Sequence, residues 1–109
     1  MSKIATRLTE LQITLPQAAA PVANYVPYVI TGNLLVISGQ VCFGPDGKLA
    51  PEHTGKLGGG VTPENGKAAA RLCALNLLAQ AQAALGDLDR ITRCVRLGGF
   101  INAAPDFTA

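Results

Sequence analysis

The chain has no tryptophan, one methionine, one histidine and only five other aromatic residues in 109. The single histidine, His53, allows neither a Ser-His-Asp arrangement nor a metal-ligand set to be assembled around it. It reads as a solvated loop residue. Charge is also sparse, with nine basic residues against seven acidic ones and a formal net charge of +2. The basic residues are scattered, which argues against a groove that binds nucleic acid by counterion release. No apolar run approaches the roughly 20 residues of a membrane span. Met1-Ser2-Lys3 opens no apolar signal core, so no secretion signal is read. Cys42, Cys73 and Cys94 are odd in number and far apart, forming neither a C-x-x-C pattern nor a disulfide framework. They read as reduced, mostly buried thiols of a cytoplasmic protein, with Cys42 a small hydrophobe rather than a redox thiol.

What is present is globular. Hydrophobic residues make up 49% and charged residues 15%, and the length allows at most one domain with one small core. Asn24–Cys42 organises the rest. Val26, Tyr28 and Ile30 alternate with Pro27, Val29 and Thr31, the period of a strand. Gly32-Asn33 is a Gly-first two-residue turn, because glycine tolerates the positive φ a primed hairpin turn needs. Leu34–Ile37 is apolar on both faces, so a strand covered on both sides is expected. It delivers Ser38-Gly39-Gln40 at its far end: a hydroxyl, a bare backbone and an amide.

Around this hairpin, Ser2 caps an expected helix over Lys3–Leu11, stopped by Pro16 and the alanine run ending at Pro21. Gly44-Pro45-Asp46-Gly47 is a turn signal. Gly58-Gly59-Gly60 matches neither nucleotide-binding glycine pattern and reads as a tight turn or hinge. Thr62-Pro63-Glu64 opens a long helix to about Leu85, with Gly86 as its left-handed stop. Lys67 and Arg71 form one polar stripe on it, Asn76 and Gln80 another roughly opposite. Asp87 and Asp89 sit in a connector, with nothing to make them a catalytic pair. Ile91–Leu97 alternates as a third strand, and Pro105-Asp106-Phe107 reads as the start of another helix. A chain ending where a helix begins reads as an incomplete domain.

Tyr25, Gly32-Asn33, Ser38-Gly39-Gln40, the helix from Glu64, Val95-Arg96-Leu97 and Asn102-x-x-Pro105-Asp106-Phe107 occur in an order that resembles the RidA (YjgF, endoribonuclease L-PSP) family. The resemblance covers roughly residues 15–109, with residues 1–14 as an N-terminal helical extension. It implies an α+β, chorismate-mutase-like fold, a mixed sheet backed by helices, here incomplete at the C-terminus. It also implies a homotrimer with sites in the clefts between subunits, and a third strand parallel to the second through a right-handed crossover.

The activity implied is hydrolysis of reactive 2-imino acids to 2-oxo acids and ammonia, without metal or organic cofactor. The resemblance places Tyr25, Ser38 and Gly39 at the substrate. On residue type alone, Ser38 equally suits a backbone hydrogen bond at a strand end, and Tyr25 an amphipathic strand edge. The family's carboxylate-binding arginine and late glutamate belong to a segment this sequence does not contain. Arg90, Arg93 and Arg96 do not occupy that motif, so no catalytic residue is assigned and weak or no activity is expected of this chain. RNA cleavage and non-catalytic binding of small molecules such as 2-oxo acids are the alternatives.

Overall fold

The structure, a computed structural model, describes residues 2–108. Helix α1 spans Lys3–Glu10, with the Ser2 hydroxyl accepting the Ala5 N–H at 2.9 Å. The expected stop at Pro16 is not what ends it. Gln12 adopts a left-handed φ of 57°; its N–H reaches Thr9 O at 3.0 Å and that of Ile13 reaches Leu8 O at 2.9 Å. This is the Schellman pairing, made with glutamine where glycine is usual. The chain therefore leaves the helix before either proline.

Strands β1 (Tyr28–Thr31) and β2 (Leu34–Ile37) pair antiparallel, Tyr28 opposite Ile37 and Thr31 opposite Leu34. Gly32 has φ +58°, as its turn position requires. Two expectations about the sheet fail together. Among the described residues the sheet has two strands, and Ile91–Leu97 forms no third one. Residues 92–101 make no backbone–backbone hydrogen bonds, and Val95 and Leu97 are 68% and 75% exposed. Alternation gives a segment the propensity for a strand, but a strand exists only when a neighbour's backbone pairs with it. Nor is β2 covered on both faces: Leu34 and Val36, which share one face, are 42% and 50% exposed, because no described element packs over that side.

Helix α2 runs over Pro63–Leu85, as its capping residues dictate. Thr62 Oγ1 accepts the Asn65 N–H at 3.2 Å, and Gly86 closes the helix at φ +79°. The glycine run ahead of it is a tight turn. The Gly58 N–H bonds Val61 O, and those of Gly59, Gly60 and Val61 converge on Lys56 O, leaving no cradle for an anion. The helix expected from Pro105 is a turn instead. The Leu57 N–H donates to Asn102 O and the Ala104 N–H to Leu57 O, both at 2.9 Å, and Phe107 packs against Gly58. This tail is held down from outside rather than by its own helical bonds.

The buried apolar side chains are few: Val61, Ala79, Ala81 and Leu88. Asn76 and Gln80 are buried with them, at 3% and 1% exposure. The radius of gyration is 15.2 Å, against about 13 Å for a compact domain of this length. The excess reflects the open sheet and the unpaired 92–101 segment. No described helix is long and apolar enough to cross a membrane.

Candidate functional site

Alternation along β2 ends at Ile37, and the hairpin register puts Ser38 opposite Pro27. Ser38 N–H and Oγ both donate to Pro27 O, at 2.9 and 3.0 Å. Pro27 cannot return a bond, so pairing stops there and the chain turns out of the sheet. Gln40 Nε2 then bonds back to Ser38 O at 3.1 Å, fixing the bend through Gly39.

Two buried amides of α2 hold the chain on either side of the hairpin. Asn76 Nδ2 donates to Val41 O and Phe43 O, each at 3.0 Å, and Gln80 Nε2 donates to Ala19 O at 2.7 Å. The polar stripe made by Asn76 and Gln80 is thus the helix's inner face. Lys67 and Arg71 face outward, exposed. One turn apart on α2, the two amides dock the segment after β2 and the arm before β1 side by side.

The result is a shallow hollow of about 80 Å³ between that arm and Ser38–Phe43. Tyr25, Ser38 and Gly39 all line it, as do Gln40 and Gln80. A Cβ on Gly39 would meet nothing within 4 Å, so no packing within the described residues demands glycine there. No lysine, arginine or histidine lines the hollow. Typical ligand pockets are several times larger, about 300–1,000 Å³.

Sequence reasoning does not single out Gln80 as a site residue. The available signal is its i, i+4 spacing from Asn76 on an alanine-rich helix, opposite the charged stripe. His53, expected in solvent, is half-buried, and its Nδ1 is shielded without a hydrogen-bond partner. It lies outside the hollow's lining. Cys42 and Cys73 are half-buried free thiols. Burial first, and the neighbouring Cys42 second, push the Cys73 thiol above its ordinary pKa. That disfavours the thiolate needed of a nucleophile. No cluster of three metal-ligating side chains occurs among the described residues.

A two-stranded hairpin that ends in Ser-Gly-Gln beside one long helix defines a small α+β protein, with a hollow at its strand ends. The chain belongs to the family described as "YjgF/chorismate mutase-like, putative endoribonuclease", whose model matches residues 5–106. It is 49% identical over 106 residues to Protein TCP17 of Trypanosoma cruzi, covering 97% of this chain and 64% of that protein. Its fold matches that of Atu1372 from Agrobacterium tumefaciens, a protein of unknown function, with TM-score 0.81 and 47% identity over 96% of this chain and 63% of that one. It also matches a "putative endoribonuclease" from Shewanella oneidensis MR-1, with TM-score 0.76 and 42% identity over 82% of this chain and 57% of that one. The chain therefore spans somewhat under two thirds of the length of these relatives.

Proposed function

We propose that this chain carries the strand-end wall of a site that hydrolyses small 2-imino acids. The iminium R–C(=NH₂⁺)–COO⁻ takes up water at its C=N carbon. The tetrahedral adduct then expels ammonia, leaving R–CO–COO⁻ and NH₄⁺. Such chemistry needs polar groups that orient the nitrogen and the water, and a cation for the carboxylate. The observation that carries the proposal is the convergence of Tyr25, Ser38 and Gly39 on one hollow. The bare Gly39 backbone supports it too, because it leaves that side open to a ligand.

The hollow lacks a cation, so the carboxylate anchor must come from another surface, and the 109-residue chain has weak or no activity alone. A homotrimer is part of the proposal, as is a cytoplasmic setting where reactive imines are hydrolysed as they are released. The open sheet supports assembly, with Val29, Ile30, Leu34 and Val36 presenting apolar side chains to solvent. No metal or organic cofactor enters the scheme.

The test is ammonia release from 2-iminopropanoate, comparing the protein expressed from its own coding frame with the 109-residue chain. Acceleration by the former and little by the latter is expected. No acceleration over buffer by the former removes the deaminase reading. Robust turnover by the 109-residue chain removes the claim that the anchor lies elsewhere.

A second reading is RNA cleavage, favoured by the description of the family and of the Shewanella relative. The scattered charge and the absence of cations from the hollow weigh against it. Salt-sensitive binding and cutting of single-stranded RNA would put it first. Ligand-induced thermal stabilisation without turnover would instead favour a non-catalytic binding trimer.

A further inference from the structure

Cys42 and Cys73 are half-buried free thiols, while Cys94 is exposed. Residue type alone reads Cys42 as a small hydrophobe, but the fold gives it a neighbour. Asn76 Nδ2 donates to Val41 O and Phe43 O, each at 3.0 Å, so the carbonyls on either side of Cys42 are drawn to one point on α2. Only the short asparagine side chain spans the gap, which brings the backbone around Cys42 close to that of the helix. Cys73 precedes Asn76 on the same inward face, about 60° round the helix and about 4.5 Å along its axis. The two sulfurs also sense each other: burial first, and Cys42 second, raise the Cys73 thiol. A disulfide needs closely spaced backbones and converging side chains. The Asn76 clamp supplies the closeness, and the inward face of α2 turns Cys73 toward the segment that carries Cys42.

We propose that Cys42 and Cys73 form a reversible disulfide that ties the segment after β2 to α2, with a low-molecular-weight disulfide such as oxidised glutathione as the oxidant. The Cys42 thiolate attacks one glutathione sulfur; the glutathione S–S bond breaks and one glutathione thiolate leaves. The Cys73 sulfur, once deprotonated, attacks Cys42 Sγ, breaking the mixed disulfide and expelling the second glutathione. The protons given up by the two cysteines end on the two glutathione thiols. The protein is thus oxidised by two electrons and the glutathione disulfide reduced by two. Cys42 reacts first, because burial disfavours the Cys73 thiolate. In a reducing compartment such a bond is a transient, redox-sensing one. Val41 and Phe43 line the hollow, so oxidation pins one of its walls to α2.

The experiment treats the folded chain carrying Cys94→Ser, which removes the exposed thiol, with oxidised glutathione. Intact mass and peptide mapping follow the product. It is expected to be a monomer lighter by two hydrogens, with Cys42 and Cys73 joined in one peptide pair, and dithiothreitol should restore the starting mass. Its thermal midpoint should rise by several degrees, the effect of a cross-link that closes a loop. Cys73→Ser should stop at one glutathione on Cys42. In Cys42→Ser, the Cys73 thiol should react roughly tenfold more slowly than Cys42 does.

Glutathione held separately on both cysteines, with no bond between them, would overturn the proposal. So would two unreacted thiols under conditions that modify Cys94 in the unsubstituted chain. A disulfide that forms only in urea, or one that leaves the midpoint unchanged or lower, would overturn it as well, since the fold would then not bring the sulfurs together. None of these outcomes depends on imine hydrolysis. A chain that forms the bond but belongs to a protein without deaminase activity would keep this inference and lose the functional one.

Discussion

Asp89 accepts the backbone N–H of Lys3 at 2.7 Å through one carboxylate oxygen, and that of Ile4 at 2.9 Å through the other. An acid 86 residues away in sequence thus completes the cap that Ser2 begins, placing negative charge at the positive end of α1. Those two backbone bonds, Ile4 first, hold the Asp89 carboxyl below its ordinary pKa of 3.8.

Because the folded-state pKa is lowered, this docking is fully present above the ordinary carboxylate range. It is lost as pH falls through the lowered folded value. Asp89→Ala should release α1 at neutral pH: hydrogen exchange at Lys3–Leu8 speeds up while the middle of α2 keeps its protection. Equal protection of α1 in the variant would show that Asp89 does not hold it. Wild-type α1 should loosen in the same selective way at low pH.

Asn76→Ala removes the donor shared by Val41 O and Phe43 O. Both acceptors are only part-buried, so the loss expected in urea unfolding is about 1–3 kcal/mol. Asn76→Asp should be no better, since it turns an oxygen toward two carbonyl oxygens. A change within about 0.5 kcal/mol, the usual size of a surface substitution, would contradict the clamp.

Gly58→Ala faces two obstacles. The residue sits at φ +80°, and its new Cβ would lie 2.5 Å from Phe107 Cδ1. Destabilisation of about 1–3 kcal/mol is expected. In a Phe107→Ala background the same substitution should cost less, because only the backbone strain remains. Gly60→Ala, with nothing within 4 Å of its Cβ, serves as the mild control. Equal effects in both backgrounds would mean that Phe107 does not press on Gly58.

Gln12→Gly should raise stability by about 1 kcal/mol, since a left-handed residue with a Cβ pays roughly that penalty. A rise in the thermal midpoint of a few degrees is the readout. An unchanged or lowered midpoint would mean that the gain in the folded state is cancelled by glycine's greater freedom in the unfolded chain.

Local chemistry is legible in the sequence. Ser2, Thr62 and Gly86 act where a cap needs them, and Gly32 turns the hairpin, because each answers to its nearest neighbours in the chain. Ile91–Leu97 misleads because alternation describes only the segment's own side chains, while a strand also needs a pairing backbone. Gln12 escapes notice because glutamine carries no stop signal; the bonds to Leu8 O and Thr9 O make the stop. At the hollow, the family order puts Tyr25, Ser38 and Gly39 forward, and all three line it, Tyr25 from the arm before β1 and the other two from the end of β2. Gln80 stays hidden because a polar residue on a helix declares its face only once the carbonyl of Ala19, 61 residues away, is opposite it.

The paired amides of α2 also set a rule for how this chain can change length. Asn76 and Gln80 stand four residues apart, a rise of about 6 Å along the axis. They grip backbone at Val41 and Phe43 on one side and Ala19 on the other. α2 thus serves as a gauge block, fixing the gap between two stretches of chain by the distance between two side chains. One residue inserted between them would swing one amide about 100° around the helix and break the pair's alignment. Length variation is therefore expected in the surface loop between Phe43 and Val61, and not in the turn of helix that joins Asn76 to Gln80.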